Sequence, residues 1–296
     1  MDGGPSFTAE TMALQRAFES HLPSQRRLFT DPFADAFLRP ALRMLAAMSG
    51  VPVVRPLAVA LYDAIGGRGP RPSAIVRTKM IDDALSEALS SHEQCVILGA
   101  GYDTRPYRLT AMSGRRVFEV DHPTTQATKR AVVERLGIGL DNVTYVAVDF
   151  ERDDLAGKLV EAGLDRDTRT VFVWEGVTQY LTEEAVDSTL EVIHGLAGLG
   201  GVLIVTYVDR RALTEPNPFP EAHRWVRAVA RVGEPWIFGL LPQEAPHFFA
   251  ARGLHLQRDS STLDGSRHWM SDRTRRHWGS ELYRVAIARI SDTRAV

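Results

Sequence analysis

The sequence has a single cysteine, little net charge and no long apolar run. Because one cysteine cannot form a disulfide within its own chain, Cys95 excludes an internal disulfide and a cysteine-rich metal site. Its position in an apolar run predicts a small buried side chain. A transmembrane helix is expected only from about 18 or more predominantly apolar residues, and the sequence has no such run. The formal net charge of −2 gives no indication of a nucleic-acid or membrane-surface partner.

The first ten residues lack the basic stretch followed by an apolar stretch that marks a secretory signal. We therefore expect a cytoplasmic protein. Its 296 residues, 44% of them hydrophobic, suit one soluble domain with elaborations. A chain of this length can bury a large core without disulfides.

The first part of the chain is predicted to be helical. Apolar residues recur at helical spacing over residues 8–20, and the pair Asp31-Pro32 is a typical helix start. Residues 56–65 predict a third helix, which Gly66 and Gly67 would end. A fourth helix is predicted from about residue 73 to residue 91, with its apolar side chains on one stripe.

From residue 95 onwards, short apolar strands alternate with helices. This alternation predicts a doubly wound α/β fold with a mostly parallel sheet. The last two strands have no convincing helix between them, which predicts a hairpin and an antiparallel last strand. Seven strands are expected, at residues 95–100, 115–121, 143–150, 170–176, 201–209, 253–260 and 282–290.

A turn of Gly99, Ala100 and Gly101 follows the first of these strands. In an open α/β sheet, ligands bind beyond the carboxyl ends of the strands, where the strand order reverses. Glycines at that point permit a tight turn and a close approach of ligand atoms to the backbone. A lone Gly-x-Gly is a weak signal, because it is equally compatible with a turn that serves packing.

The second strand ends at Asp121, 20 residues after Gly101. An acid at that distance is placed to accept hydrogen bonds from both hydroxyls of a ribose. Glu119 lies on the same face of the strand and is an alternative. Either acid could instead be a solvated strand end or lie at the start of the following helix.

The residues after the glycine turn indicate which nucleoside-containing cofactor is expected. A dinucleotide fingerprint would have a third glycine where Thr104 stands. The carboxylate of Asp103 would repel a pyrophosphate but would suit a cationic ligand. This charge favours S-adenosylmethionine, which has a sulfonium and no phosphate, over NAD or FAD.

Two further strand ends carry acids. Asp149, followed by Phe150, ends the third strand, where an acid can accept from an adenine amino group and an aromatic ring can cover its face. Glu175 ends the fourth strand beside Gly176. The repetition of such residues at equivalent positions is a stronger signal than any one of them.

The chain resembles the S-adenosylmethionine-dependent methyltransferases of the leucine carboxyl methyltransferase family. The resemblance implies a seven-stranded Rossmann-like fold with a helical lid over residues 1–72, a cofactor domain over residues 73–296, and a substrate wall at about residues 211–250. It runs through most of the chain, in the segments "RAFES", "DPFADAFL", "RTKMIDDAL", "VILGAGYDTRPYRL", "FEVDHP", "VDF", "EGVTQYL" and "GEPWIFGL".

The resemblance also implies a role for each predicted site residue. Arg77 would bind the carboxylate of the cofactor's methionine part, and arginine suits that task because it binds carboxylates in a bidentate way. In the same way, Gly99 would line that pocket, Asp121 would hold the ribose, Asp149 and Phe150 would contact the adenine, and Glu175 would lie near the methionine end.

The implied activity is methyl transfer to an oxygen of a small carboxylate or hydroxyl compound in secondary metabolism. Alternatives are a protein C-terminal carboxyl methyltransferase, a NAD-dependent oxidoreductase, and a module that binds the cofactor without turning it over. Tyr180, Tyr207 and Trp236 could line the acceptor pocket or pack in the core. We expect no metal, and no histidine has a carboxylate partner recognisable by spacing, so no catalytic residue is predicted. The basic, aromatic segment 267–278 could bind an anion or form a solvated connection.

Overall fold

The computed structural model describes residues 7–66, 70–138, 141–150, 152–214, 216–231, 233–270 and 278–291. In that part of the chain, one sheet contains the strands β1 (Gln94–Leu98), β2 (Arg116–Asp121), β3 (Val143–Ala147), β4 (Thr170–Trp174), β5 (Val202–Val208), β6 (Leu254–Ser261) and β7 (Tyr283–Ile290). The strand order is β3-β2-β1-β4-β5-β7-β6. Strands β1 to β5 are parallel, and β7 is antiparallel to both β5 and β6. The predicted seven-stranded, mostly parallel sheet with an antiparallel last strand is confirmed.

Helices cover both faces of the sheet, as the alternation of elements predicts. None of the helices in the described ranges is long and apolar enough to cross a membrane. The α-helices are α1 (Phe7–Ser20), α2 (Pro40–Ser49), α3 (Arg55–Gly66), α4 (Pro70–Leu89), α5 (Arg105–Arg108), α6 (Pro123–Arg135), α7 (Leu155–Glu161), α8 (Glu183–Leu196), α9 (Ala222–Arg231), α10 (Ala245–Ala250) and α11 (Thr262–Trp269).

The central strands are buried on both sides, which explains why their sequences are continuous apolar runs. In β1, the side chains of Val96 and Leu98 join the apolar core on one face of the sheet. The alternate residues Cys95 and Ile97 join the core on the other face. Cys95 is fully buried and unbonded to another sulfur, as expected.

Two helix predictions are wrong. Helix α11 lies between the last two strands, where no helix was expected. Its start is a capping box, in which the Ser261 hydroxyl accepts the N–H of Asp264 and the Asp264 carboxylate accepts the N–H of Ser261. The helix expected to begin at Asp31-Pro32 is a short 3₁₀ turn, Ala34–Phe37, and α-helical geometry begins at Pro40.

The N-terminal helices α1 to α3 pack around an apolar cluster of their own. Leu14 and Phe18 of α1 and Tyr62 of α3 belong to it, and so do Tyr102, just after the glycine turn, and Val133 of α6. These contacts place α1 beside the carboxyl edge of the sheet. Such a position is compatible with a lid, and the division into a lid and a cofactor domain stays a prediction.

The predicted substrate wall at residues 211–250 contains two different parts. Asp209 and Leu240 form an isolated β-bridge, so the segment that departs from the sheet begins and ends at residues 209 and 240. Helix α10 follows it and buries Ala245 and Phe249 in the core together with Leu254 of β6. Helix α10 therefore packs in the core between β5 and β6, and the substrate wall at residues 211–250 stays a prediction.

Candidate active site

The predicted site residues meet at one edge of the sheet. Gly99 and Glu175 directly follow β1 and β4, Asp121 ends β2, and Asp149 lies two residues after β3. Because β7 runs antiparallel, its first residue, Tyr283, pairs with the last residue of β5 and lies at the same edge. The strand order reverses between β1 and β4, which is where ligands bind in open α/β sheets.

The glycine turn has a backbone conformation that other residues rarely adopt. Gly99 has φ +64° and Gly101 has φ +47°. A Cβ atom on Gly99 would lie 2.5 Å from Cγ2 of Val177, and one on Gly101 would lie 3.4 Å from Cβ of Ala9. The close approach that the glycines permit is thus made by the chain's own Val177 and by α1, not only by a ligand as the sequence suggested.

Asp121 connects the end of β2 to the glycine turn. Its Oδ2 accepts the backbone N–H of Gly101, and its Oδ1 accepts the N–H of His122 at 2.6 Å. Ala100 is buried and donates its own N–H to the carbonyl of Val120 at 2.9 Å, which fixes the turn against β2. Burial raises the pKa of Asp121 against the effect of the two N–H donors. Each carboxylate oxygen keeps a second lone pair, so Asp121 can accept two further hydrogen bonds.

The structure distinguishes Asp121 from Glu119, the alternative acid on the same strand. The carboxylate of Glu119 is paired with the ammonium of Lys129 on α6 and accepts a hydrogen bond from the hydroxyl of Tyr107. Burial raises the pKa of Glu119 to about 7, even though Lys129 acts in the opposite direction. Glu119 is therefore enclosed by protein, and Asp121 is the acid that retains acceptor capacity at the edge of the sheet.

Arg77 of α4 and Glu175 form an ion pair at the same edge. Nε of Arg77 lies 2.7 Å from Oε1 of Glu175, and the two side chains are 7% and 16% exposed. The guanidinium of Arg77 also lies 4.8 Å from the centre of the Tyr283 ring and 3.2 Å from Sδ of Met12 on α1. Burial alone would raise the pKa of Glu175, but Arg105 and Arg77 hold it below its ordinary value.

Asp103 does not face the site with a free charge. Its carboxylate accepts hydrogen bonds from the backbone N–H of Arg105 at 2.7 Å and from the guanidinium of Arg105 at 2.6 Å. Against the effect of burial, Arg105 lowers the pKa of Asp103 to about 2. The expectation that Asp103 repels a pyrophosphate and attracts a cation is wrong, because Arg105 already balances its charge.

Phe150 is the most open of the predicted residues, and Asp149 precedes it, two residues after β3. Phe150 is 37% exposed, and the Asp149 carboxylate lies 3.8 Å from Nε of Arg152. The backbone N–H of Asp149 donates to the carboxylate of Asp153 at 2.8 Å, which holds the turn after β3. An exposed ring beside a carboxylate is available to a flat heterocycle with an amino group.

The predicted acceptor residues have different surroundings. Trp236 is half-buried and packs edge-on against the Tyr283 ring, with the ring centres 6.2 Å apart. Tyr180 is also half-buried, and burial raises the pKa of its phenol. Tyr283 and Gln179 were missed by the sequence reasoning, and the Gln179 amide donates to the Tyr283 hydroxyl at 3.1 Å. The predicted antiparallel last strand was a usable signal for Tyr283, because the start of that strand must lie at this edge.

Tyr207 is a core residue and not part of the pocket wall. Its ring is buried in the apolar core with Trp174 and Phe238. Its hydroxyl donates to the carboxylate of Asp259 on β6 at 2.7 Å. We therefore remove Tyr207 from the acceptor-binding residues.

The remaining sequence signals can be placed only in part. In the basic segment, residues 267–269 belong to α11 and Trp278 lies shortly before β7, while residues 271–277 are outside the described residues. In the described residues, no group of three or more histidines, cysteines or acids is arranged to hold a metal ion.

Solved structures show the class of fold. A protein of Thermobifida fusca provisionally described as a methyltransferase superimposes with a TM-score of 0.61 over 98% of this chain and 96% of that chain, at 18% identity. A DUF574 family protein of Streptomyces avermitilis gives 0.57 over 93% and 96%, at 15% identity. Together with the strand order, these likenesses show a Rossmann-like methyltransferase fold.

The sequence comparisons show the family. The family model described as leucine carboxyl methyltransferase matches residues 9–194, so the chain belongs to that family. A Mycolicibacterium gilvum protein is 34% identical over 217 residues, which is 70% of this chain and 68% of that protein. A Streptomyces coelicolor protein is 33% identical over 267 residues, which is 86% and 89%. Both are provisionally named S-adenosyl-L-methionine-dependent methyltransferases, and the resemblance expected from the sequence is confirmed.

Proposed function

We propose that this S-adenosylmethionine-dependent methyltransferase acts in the cytoplasm on an oxygen atom of a small carboxylate or hydroxyl compound of secondary metabolism. The observation that carries the cofactor assignment is the order of side chains along the carboxyl edge. Asp149 and Phe150 follow β3, Asp121 ends β2, and Glu175 follows β4 with Arg77 beside it.

The residues present fit this cofactor in chemistry and in order. An amino-acid end needs one cation and one anion. Arg77 and the more exposed Glu175 supply them as an ion pair. A ribose needs hydrogen-bond acceptors, which Asp121 retains. Three strand spacings, roughly 14 Å in total, separate β3 from β4. The edge therefore suits an elongated ligand with a nucleoside at one end and an amino acid at the other.

When bound, S-adenosylmethionine supplies an electrophilic methyl group. The chain's own contribution is to bind and orient, and alignment of two reactants can supply about 7–11 kcal/mol of barrier reduction. A tyrosine phenol keeps its proton near neutral pH, and burial raises the pKa of Tyr180 further, so this phenol can donate a hydrogen bond to an acceptor oxygen. A carboxylate acceptor is already ionised at that pH and needs no base, whereas a hydroxyl would benefit from one. We therefore favour a carboxylate.

Two alternatives remain to be tested. A protein C-terminal carboxylate would use the same chemistry as a small carboxylate. A NAD-dependent oxidoreductase is disfavoured by the position of the missing third glycine. Thr104 is buried there, and its hydroxyl donates to the carboxylate of Asp31 at 2.6 Å, so a side chain tied into the protein stands where the fingerprint has a glycine.

The first experiment is a thermal-shift comparison of S-adenosylhomocysteine, S-adenosylmethionine and NAD. A ligand at 100 times its dissociation constant adds about 2.7 kcal/mol to the free energy of unfolding. We expect a shift with both adenosyl ligands, and a shift with NAD alone would overturn the proposal.

The second experiment follows a labelled methyl group into panels of carboxylic acids, phenols, alcohols and peptides with a free carboxyl terminus. A methyl ester releases the label in mild base and a methyl ether does not. We expect base-labile label in a small carboxylic acid. Base-stable label would identify a hydroxyl acceptor, and label in the peptides alone would support the protein-modifying alternative.

A further inference from the structure

Arg105, the first residue of α5, lies at the centre of three carboxylates. Its Nε is 2.7 Å from Oδ1 of Asp82 on α4. Its Nη1 is 2.6 Å from Oδ2 of Asp103 in the glycine turn and 2.6 Å from Oε2 of Glu175 after β4. The Arg105 side chain is only 3% exposed. One guanidinium therefore forms ion pairs with carboxylates from three separate segments around the candidate site.

Two further arginines complete this buried cluster. Arg77 binds the other oxygen of Glu175 at 2.7 Å. Arg108 binds both oxygens of Asp82, at 2.7 and 2.9 Å. The ion pairs run in the order Arg77, Glu175, Arg105, Asp82 and Arg108, with Asp103 attached to Arg105. Three arginines thus face three carboxylates, and the formal charges of the cluster cancel.

Because Glu175 is bound by two arginines, Arg77 does not neutralise its charge alone. Oε1 of Glu175 accepts from Arg77, and Oε2 accepts from Arg105. Without Arg105, the whole negative charge of Glu175 would be matched by Arg77, and Oε2 would lose its partner in a buried position. With Arg105 present, part of the positive charge of Arg77 remains available to a ligand carboxylate.

Side-chain exposure indicates which of these residues can touch a ligand and which can only hold the others in place. Side-chain exposure falls from 16% for Glu175 to 7% for Arg77 and 3% for Arg105, and Arg105 reaches its three carboxylates through Nε and Nη1. A guanidinium has five N–H donors in a fixed fork, so it can serve several carboxylates at once, which a lysine ammonium cannot do with the same geometry.

We propose that Arg105 is a positioning residue that holds Glu175 and leaves Arg77 free to bind the carboxylate of the cofactor's methionine part, without touching the cofactor itself. This inference rests on the proposed function. The inference concerns only the amino-acid end of the ligand. It can therefore be tested by comparing a ligand that has this end with one that lacks it.

The experiment measures binding by calorimetry for two ligands. S-adenosylhomocysteine carries the amino-acid end, and 5′-methylthioadenosine has the same nucleoside and thioether without it. For Arg105→Gln, we expect the affinity for S-adenosylhomocysteine to fall roughly 10- to 100-fold, the range for a lost charge-assisted contact. The affinity for 5′-methylthioadenosine should change less than about threefold, as expected when no charged contact is lost.

Arg108→Gln is the matched control. Arg108 is as buried as Arg105 and binds the same Asp82, but it does not contact Glu175. We expect this variant to lose stability without a selective loss of S-adenosylhomocysteine binding. Arg105→Lys is the second variant if the glutamine variant does not fold, and it should show a smaller but still selective loss.

Three results would overturn the inference in different ways. Equal loss of both ligands in the Arg105 variants would show a merely structural role. The same selective loss in Arg108→Gln would show that contact with Glu175 is not the cause. If the wild-type protein binds 5′-methylthioadenosine and not S-adenosylhomocysteine, no amino-acid site exists, and binding of neither ligand would refute the proposed function itself.

Discussion

The ammonium of Lys129 lies 2.8 Å from Oε1 of Glu119, and each side chain is only 1% exposed. The pair joins α6 to β2, two residues before Asp121 on the strand that ends at the site. The amide of Gln126 on α6 adds a hydrogen bond to the Glu119 carbonyl at 3.2 Å. The position of α6, and with it the end of β2, therefore depends on a buried ion pair.

Lys129→Met should destabilise the protein in a pH-dependent way. Removing one partner of a buried ion pair costs about 3–5 kcal/mol, and we expect this loss at pH 8. The folded-state pKa of Glu119 is already raised to about 7 from an ordinary 4.5, and it rises further without Lys129. The stability from holding this proton is complete below the ordinary value and is lost as pH rises through the folded value. The penalty should therefore be smaller at pH 5.

Urea unfolding at pH 5 and pH 8 measures both values. The double variant Lys129→Met, Glu119→Gln removes both charges and should recover most of the loss at pH 8. Equal penalties at the two pH values would contradict this account of the pair.

Gly99→Ala should cost more stability than Gly114→Ala. Both glycines have positive φ, but a Cβ on Gly114 would meet nothing within 4 Å, whereas one on Gly99 would overlap Val177. The backbone conformation alone costs about 1–2 kcal/mol, and the steric overlap should add roughly 1–3 kcal/mol. Chemical unfolding of both variants gives the difference. Adding Val177→Ala to Gly99→Ala should recover the stability lost to the steric overlap. If the effects of the two substitutions were simply additive, the overlap would not be the cause.

Asp121→Ala should weaken cofactor binding and leave the fold intact. The loss of charge-assisted hydrogen bonds to a ribose, about 1.5–3 kcal/mol, corresponds to roughly 10- to 150-fold in affinity. Calorimetry with S-adenosylhomocysteine measures this change. The control is Asp83→Ala, because Asp83 is an exposed acid on α4 whose pair with Lys79 is of the solvent-facing kind that contributes little. Unchanged affinity in Asp121→Ala would disprove the ribose assignment.

Much of the scaffold could be predicted from the sequence, because β1, β4 and β5 are buried, largely apolar runs and helical patterns separate the strands. The approximate ends of the strands could be predicted from the same patterns, so Asp121, Asp149 and Glu175 were placed at the carboxyl edge of the sheet. The capping box of α11 was also present in the sequence, at Ser261 and Asp264 directly after β6, and the sequence reasoning missed it.

The charge balance of the site could not be predicted in the same way. Arg105 meets Glu175 across 70 residues of sequence and Asp82 across 23. Asp103 is a different case, because the arginine that balances its charge is only two residues away and could have been noticed in the sequence. The prediction for Tyr207 was wrong because the packing of the sheet decides which face of β5 its ring occupies.

Asp31→Asn should loosen the N-terminal helices more than it perturbs the sheet. The Asp31 carboxylate accepts from Nε of Arg16 on α1 at 2.8 Å and from the Thr104 hydroxyl, and Arg16 also donates to the carbonyl of Tyr102 at 2.6 Å. Neutralising Asp31 leaves a buried arginine without its anion, at a cost of about 3 kcal/mol or more. Limited proteolysis should show faster cleavage within residues 7–66, with S-adenosylhomocysteine protecting both proteins.

The control for this variant is Asp35→Asn, because Asp35 is more exposed and pairs with His21. Its cleavage rate should stay close to that of the wild-type protein. If Asp31→Asn resisted proteolysis equally well, the buried bonds of Asp31 would not hold the helices to the glycine turn.

The antiparallel β7 determines when the surroundings of Arg77 can be completed during synthesis. This strand inserts between β5 and β6, and its first residue, Tyr283, contacts both Arg77 and Trp236. A nascent chain that has emerged only as far as α8 already contains the cofactor-facing strand ends, yet it lacks the ring on which Arg77 packs. The packing of Arg77 on the Tyr283 ring can therefore form only after nearly the whole chain has been synthesised.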